Sequence, residues 1–210
     1  MRSNTEHIVM PEDHMDELYH AKNPIVRFVH VQRLEKIAEL VQSPQSLSIL
    51  DAGCGEGHLI QKMHEKNGQH QYYGLDATPI AAEKARERCA YATILLGNLT
   101  QLPFPDNYFD IVTCTEVLEH VPAYEKALSE FERVLKPNGK LILTFPNETL
   151  WTISRFILRR NPVKVPDHVN SFFPSYIKTK SRLACIKSTT LPFGLPFTFS
   201  LNGLMVFQKN

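Results

Sequence analysis

The stretch Ser48-Ile49-Leu50-Asp51-Ala52-Gly53-Cys54-Gly55-Glu56-Gly57 decides the fold. Its first half predicts a short strand that ends at an acid, and its three alternating glycines predict a tight turn. Apolar residues at helical spacing follow, which predicts a helix after the turn. Glycine is needed where φ is positive or where a ligand approaches the backbone closely. The N–H groups that begin such a helix can hold the polar part of a nucleotide-like ligand.

Strand and helix signals alternate along the rest of the chain. Strand signals lie at residues 71–76, 92–96, 109–114 and 140–145. This alternation predicts an α/β fold, a Rossmann-like seven-stranded and mostly parallel sheet with helices on both faces. Residues 184–190 and 198–208 predict two last strands with no helix between them, so we expect an antiparallel C-terminal hairpin at the sheet edge.

The chain is predicted to form a single domain with four regions. Residues 1–44 form an N-terminal cap region, 45–146 a cofactor-binding core, 147–183 a substrate or lid region, and 184–210 the hairpin. Asn23-Pro24 predicts a helix start, and that helix either packs on the sheet or covers the site with Tyr19 or His20 near the ligand. Pro122 is predicted to open a helix that runs through Leu135, before a turn at residues 136–139.

Composition excludes several classes of protein. The 210 residues carry a net charge of +1, so no global field favours nucleic acid as a partner. We expect neither a signal peptide nor a membrane span, because no apolar run is long enough. The four cysteines lie far apart, which argues against a disulfide framework or a zinc site and favours a cytoplasmic location.

Polar residues stand where four predicted strands end, namely Asp51, Asp76, Asn98 and Thr115. Ligands of parallel sheets bind beyond these carboxyl ends, so the four residues predict one site. The glycine spacing is G-x-G-x-G, with His58 where a dinucleotide fingerprint has its third glycine, and this argues against a bound pyrophosphate. A carboxylate such as Asp76 binds a ribose diol and repels a 2′-phosphate. The residues therefore predict a phosphate-free nucleoside.

Six motifs resemble, in the same order, those of class I S-adenosylmethionine-dependent methyltransferases. They are Asp51–Gly57, Gly74–Asp76, Gly97–Asn98, Phe109–Asp110, Val117–Val121 and Leu135–Lys140. The resemblance spans roughly residues 45–146 and is strongest to the small-molecule branch that includes the ubiquinone-biosynthesis O-methyltransferases. It implies an enzyme that transfers a methyl group from S-adenosylmethionine to a small molecule, at an oxygen atom, by in-line displacement.

The resemblance also implies a cofactor pocket made by the glycine turn and the strand ends that follow it. Its expected members are Asp51, Gly53, Cys54, Gly55, Asp76, Ala77, Asn98, Leu99 and Thr115. The turn would hold the methionine part, Asp76 the ribose hydroxyls, and residues 98–99 the adenine. The family commonly has an acid where this chain has Asn98, whose amide oxygen can still accept from the adenine amine. Alternatively, Asp51 orders the glycine turn by accepting backbone N–H bonds.

Glu116, Glu119 and His120 form an E-x-x-E-H pattern, expected on one face of a helical turn. The pattern looks like the divalent-metal site of the ubiquinone O-methyltransferases and of small-RNA 2′-O-methyltransferases, which implies Mg²⁺ or Mn²⁺ as a second cofactor. His168 is the nearest candidate for a fourth ligand. Two alternatives stay open: His120, with Glu116, acts as a metal-free base or substrate contact, or the segment is structural.

Residues 151–160 are apolar and basic, and three interpretations stay open: a helix that closes the core, a lid over an apolar acceptor, or a peripheral contact with an anionic membrane. The function has alternatives as well. The chain could be a non-catalytic module that binds S-adenosylmethionine or S-adenosylhomocysteine, or an N- or C-methyltransferase of a lipid-like substrate. The identity of the acceptor and the oligomeric state stay open.

Overall fold

The computed structural model describes Tyr19, residues 21–157 and residues 168–210. Its helices are α1 (Pro24–Leu40), α2 (His58–Lys66), α3 (Pro79–Arg88), α4 (Tyr124–Val134), α5 (Glu148–Ile157) and α6 (Pro174–Lys180). Its strands are β1 (Ser48–Ala52), β2 (Gln71–Asp76), β3 (Thr93–Leu96), β4 (Phe109–Thr115), β5 (Leu135–Pro146), β6 (Ala184–Leu191) and β7 (Asn202–Gln208). Two short 3₁₀ helices cover Leu118–His120 and Phe197–Phe199.

The seven strands form one sheet in the order β3-β2-β1-β4-β5-β7-β6. The first five pair in parallel, whereas β7 lies antiparallel between β5 and β6. The predicted fold class is therefore confirmed, including the antiparallel hairpin at the edge of the sheet. Because β1 and β4 are adjacent and run in the same direction, their carboxyl ends meet at the middle of one rim.

Apolar clusters cover both faces of this sheet. One cluster joins α1, α2 and α3 to the sheet through residues such as Ile37, Ile60 and Ala82. The other joins α4 and α6 to it through residues such as Phe131 and Ile177. Asn23 starts α1 as predicted, since its side-chain oxygen accepts from the N–H of Ile25 at 2.9 Å. The helices thus hold the sheet between two cores and leave its rim for the site.

The glycine turn follows β1 and is tied to the end of β2. The carbonyl oxygen of Leu75 accepts from the N–H groups of Gly53 (2.7 Å) and Cys54 (3.1 Å). Gly53 has φ +83°, and a Cβ added there would lie 2.6 Å from a methyl group of Val117. Glycine is required at this position both for the backbone conformation and for the close approach of the segment after β4.

The predicted helix boundary near Leu135 is wrong. Helix α4 covers Tyr124–Val134, and Leu135 already has an extended backbone and pairs with Phe109 in the sheet. The predicted turn at residues 136–139 lies within β5, where Asn138 adopts φ +64° and the register shifts beside Phe109. Pairing with β4 therefore continues past the irregularity that the sequence Lys-Pro-Asn-Gly signals.

Some predictions fall outside the described residues, among them those on His20 and on residues 158–160. Helix α5 covers the described part of the segment 151–160 and begins three residues earlier than that segment. Among the described helices, none combines the length and the apolar composition that a membrane crossing requires.

Candidate functional site

A carboxylate joins the first two motifs of the chain. The backbone N–H of Gly55 donates to Oδ2 of Asp76 at 2.8 Å, and the N–H of Thr78 donates to Oδ1 at 2.9 Å. Asp76 thereby fixes the glycine turn and the start of α3 at once. A carboxylate has about four lone-pair positions, so two remain for further donors such as ribose hydroxyls. Ala77, the next residue, is exposed beside it.

Asp51 lies at the end of β1 and is 1% exposed. The hydroxyl of Thr113 donates to its Oδ1 at 2.7 Å. Burial raises the pKa of Asp51 to about 7, the charge of Asp76 adds to this, and the Thr113 hydrogen bond opposes it. The glycine-turn N–H groups of Gly53, Cys54 and Gly55 bond to Leu75 and Asp76, which argues against Asp51 as the residue that orders the turn.

At the adenine end of the predicted pocket, Thr100 occupies the oxygen of Asn98 that the adenine amine was expected to use. The amide oxygen of Asn98 accepts from both the N–H (2.9 Å) and the hydroxyl (3.0 Å) of Thr100. These two bonds use both lone pairs of that oxygen, so an adenine amine would have to displace Thr100. Leu99 is buried, and Thr115 is half-buried at the end of β4. Cys54 is buried too, and burial raises the pKa of its thiol well above the usual range.

Arg33 is a functional candidate that sequence reasoning missed. It is 3% exposed on α1, and its guanidinium lies 3.5 Å from Oε2 of Glu116. Glu116 and Tyr19 hold the pKa of Arg33 above its usual value in spite of burial. The sequence did contain a signal for this residue: a charged side chain stands on the apolar face that α1 buries, together with Leu34 and Ile37.

Tyr19 of the predicted cap region lies at the same end of the sheet. Its ring is buried, with its centroid 4.5 Å from that of His58 at the start of α2. Burial raises the pKa of the Tyr19 hydroxyl, while Arg33 opposes this shift. The structure thus brings one residue of the N-terminal region against the helix that follows the glycine turn.

Glu116 does not share a helical turn with Glu119 and His120, so this part of the sequence interpretation is corrected. Its backbone has φ +55°, and the 3₁₀ helix begins only at Leu118. Its carboxylate accepts from the side-chain amide of Asn202 at 2.6 Å and faces Arg33. Burial raises the pKa of Glu116, and Arg33 lowers it. Asn202, on β7, is a second partner that the sequence did not indicate.

Glu119, His120 and His168 form a compact group of potential metal ligands. One ligand atom from each lies within 4.8 Å of the other two. Glu119 is 1% exposed, and its Oε2 has no hydrogen-bond partner among the described residues. Nδ1 of His168 lies 2.5 Å from a carboxylate oxygen of Glu148.

The group fits a divalent cation by its chemistry. One carboxylate and two imidazoles suit Mn²⁺ better than Mg²⁺, which prefers oxygen ligands alone. A histidine whose second nitrogen contacts a carboxylate is the usual arrangement around a bound metal, and Glu148 has this position beside His168. The backbone N–H groups of Val169 and Asn170 both donate to the carbonyl oxygen of Glu119. These bonds hold the loop after His168 in place.

A groove of about 430 Å³ lies along the loop after His168. Its walls include Tyr124, Phe173 and Tyr176, and the two tyrosine hydroxyls lie 2.6 Å apart. The walls are aromatic with a few hydroxyl and amide groups, which is typical of a site for a flat or apolar small molecule.

Comparison with known proteins identifies what this chain is similar to. Residues 50–143 match the model of a methyltransferase domain. This stretch is similar to a methyltransferase domain. A demethylmenaquinone methyltransferase of Listeria monocytogenes is 34% identical over 130 residues, which are 59% of this chain and 55% of that protein. A mitochondrial ubiquinone biosynthesis O-methyltransferase of Schizosaccharomyces pombe is 31% identical over 181 residues, 77% of this chain and 62% of that protein.

These matches confirm the predicted resemblance to the methyltransferases. An S-adenosylmethionine-dependent methyltransferase from Aquifex aeolicus has the same fold, with a TM-score of 0.70 and 14% identity over 96% of this chain and all of that one. The chain spans 55–62% of the length of the two curated relatives named above.

The high pKa of Asp51 predicts a pH dependence of stability. The folded-state pKa is about 7 against 3.8 ordinarily, so the folded protein binds this proton more tightly than the unfolded chain does. Wild type should therefore lose stability relative to Asp51→Asn as the pH rises from about 4 through about 7. The full loss is on the order of 4 kcal/mol. Denaturant unfolding of both proteins at several pH values measures it, and parallel pH profiles would contradict the assignment.

Proposed function

We propose that the chain is an S-adenosylmethionine-dependent methyltransferase that methylates an oxygen atom of a small molecule. The bond between Asp76 and the N–H of Gly55 carries this proposal. It places a diol-binding carboxylate beside a glycine turn at the carboxyl rim of a parallel sheet, which is where nucleoside ligands bind in such folds. The methyltransferase domain matched over residues 50–143 includes both residues.

The cofactor would lie across the ends of β1, β2 and β4. In this arrangement, Asp76 accepts from the ribose hydroxyls, and the methionine part runs along Gly53 and Gly55. Asp51 would hold the ammonium group, and that positive charge would favour the ionised carboxylate of Asp51. The guanidinium of Arg33, which is buried and already faces Glu116, would hold the carboxylate of the methionine part. Cys54, Ala77, Asn98, Leu99 and Thr115 complete the walls.

The protein's part in the reaction is to position the reactants. S-adenosylmethionine would supply the methyl group: its bond between sulfur and the methyl carbon would break as the bond from that carbon to the acceptor oxygen forms, so the residues must hold sulfur, carbon and oxygen in one line. The acceptor loses its hydroxyl proton, and we assign its removal to His120, beside the rim. Glu116, held by Asn202 and Arg33, is assigned to orient the acceptor.

A divalent cation at Glu119, His120 and His168 is an alternative to a metal-free His120. When bound, it would lower the pKa of the acceptor hydroxyl. Glu116 belonged to the ligand set predicted from the sequence, together with Glu119 and His120. Its carboxylate instead contacts Arg33 and Asn202, so we favour His168 in its place, with Mn²⁺ before Mg²⁺.

The acceptor would occupy the groove along residues 169–176, within the predicted substrate region 147–183. Its aromatic walls favour an aromatic or apolar acceptor. The two curated relatives are named for demethylmenaquinone and for ubiquinone biosynthesis, which suggests a quinone-like ring. We propose that the protein acts in the cytoplasm, where its four thiols stay reduced, and reaches an apolar acceptor at a membrane surface.

Asp76→Ala should weaken binding of both S-adenosylmethionine and S-adenosylhomocysteine by at least about tenfold, because the ribose loses a charged acceptor. Calorimetric titration measures both affinities. Asp106→Ala is the matched control, since Asp106 is an exposed acid paired with Arg133, and its affinities should equal those of wild type. Absence of binding to wild type would contradict the proposal. Binding without methyl transfer to any acceptor would favour the non-catalytic module.

Mn²⁺ titration tests the metal alternative and the ligand set. Glu119→Gln and His168→Ala should each weaken Mn²⁺ binding by at least about tenfold, because each removes one ligand. Glu116→Gln should keep the affinity, and His64→Ala serves as a control at a histidine stacked on Tyr91. Equal loss in Glu116→Gln would restore the ligand set predicted from the sequence. Full methyl transfer by wild type in excess chelator would leave His120 as the metal-free base.

A further inference from the structure

Large apolar side chains concentrate on one exposed surface. We name it the apolar rim and define it by Ile25, Phe28, Phe156, Ile157, Phe193 and Phe199. Five of these side chains are 70–72% exposed, and Phe28 is 41% exposed. Single exposed apolar residues are ordinary, but a group of this size on elements that pack together marks an interaction surface.

The members of the apolar rim come from three elements that contact one another. The rings of Phe28 on α1 and Phe193 after β6 stack with centroids 5.9 Å apart. The side chain of Asn147, just before α5, donates to the carbonyl of Phe197 in the 3₁₀ helix before β7 at 2.7 Å. Trp151 on α5 lies against His30 on α1, with ring centroids 5.9 Å apart. The three elements therefore pack against one another.

The apolar rim lies at the end of the sheet where the site opens. Asn202, the first residue of β7, pairs with Pro146, the last residue of β5. The connection from β6 to β7 and the start of α5 consequently lie beyond the carboxyl ends of the parallel strands. Phe173 of the proposed acceptor groove contacts Phe197 in this connection, with ring centroids 5.8 Å apart, so a ligand held by the apolar rim would be close to the proposed acceptor site.

Charge distinguishes among the partners that such a surface could have. The segments that form the apolar rim, residues 21–28, 149–157 and 192–201, contain three cationic residues, Lys22, Arg27 and Arg155, and no acid. On α1, the first turn has no acid, and the exposed Arg27 precedes Phe28. Exposed aromatic side chains within a basic surround are typical of proteins that insert into the interface of an anionic membrane.

We infer that the apolar rim docks on an anionic lipid bilayer, with Phe193 and Phe199 as the inserted side chains. The membrane contact would lie mainly on three elements: the connection between β6 and β7, the first turns of α1, and α5. It rests on the proposed function for the nature of the acceptor, an apolar molecule taken from the bilayer. Docking would bring the mouth of the site against the lipid surface.

Vesicle sedimentation tests the inference with the full chain. Wild type should bind vesicles of phosphatidylcholine with about 30 mol % phosphatidylglycerol, and bind pure phosphatidylcholine at least about tenfold more weakly. Raising the salt concentration should weaken binding to the anionic vesicles. Phe193→Ser with Phe199→Ser should reduce that binding at least about tenfold, because the inserted apolar area is lost.

Ile80→Ser is the matched control, since Ile80 is 43% exposed on α3, near the opposite edge of the sheet, and should leave vesicle binding unchanged. Thermal unfolding and S-adenosylmethionine affinity should be the same in all variants. Absence of wild-type vesicle binding would overturn the inference even if cofactor binding and methyl transfer stand. Self-association in sedimentation velocity that the double variant abolishes would overturn it too, by identifying a second copy as the partner.

Discussion

The arrangement of the site depends on one hydrogen bond, from the N–H of Gly55 to the carboxylate of Asp76. The bond connects the turn after β1 to the end of β2, and the same carboxylate holds the N–H of Thr78 at the start of α3. Because both oxygens are fixed by backbone groups, the carboxylate cannot rotate freely. Its remaining lone pairs therefore point in set directions before any ligand arrives, which lowers the entropic cost of binding.

Several buried ionisable groups lie at the same rim of the sheet, and their burial opposes stability. Asp51, Glu116 and Glu119 all have pKa values raised by burial, and Arg33 is a buried cation. Taking such groups out of water costs more than their pairing usually returns. A chain selected for stability alone would place apolar residues there. These buried charges are explained if a ligand that carries both an ammonium and a carboxylate pairs with them.

Local patterns allowed much of the fold and part of the site to be predicted. The glycine turn, the strand ends and Asp76 follow from residues that are close in sequence, so periodicity and turn chemistry identified them. His168 was named from the order of the predicted elements, whereas Arg33 and Asn202 reach the site through packing between distant segments. Asn202 meets Glu116 because β7 inserts between β5 and β6, and no local pattern encodes this. The boundary at Leu135 failed because sheet pairing with β4 overrides the helix and turn signals there.

The central claim is that a phosphate-free adenosine lies across this rim with its ribose on Asp76. A crystal structure of the chain with S-adenosylhomocysteine tests it most directly. The account predicts ribose oxygens within about 3.2 Å of the Asp76 carboxylate and the homocysteine part along Gly53 and Gly55. A nucleoside bound elsewhere, or a ribose facing away from Asp76, would contradict it.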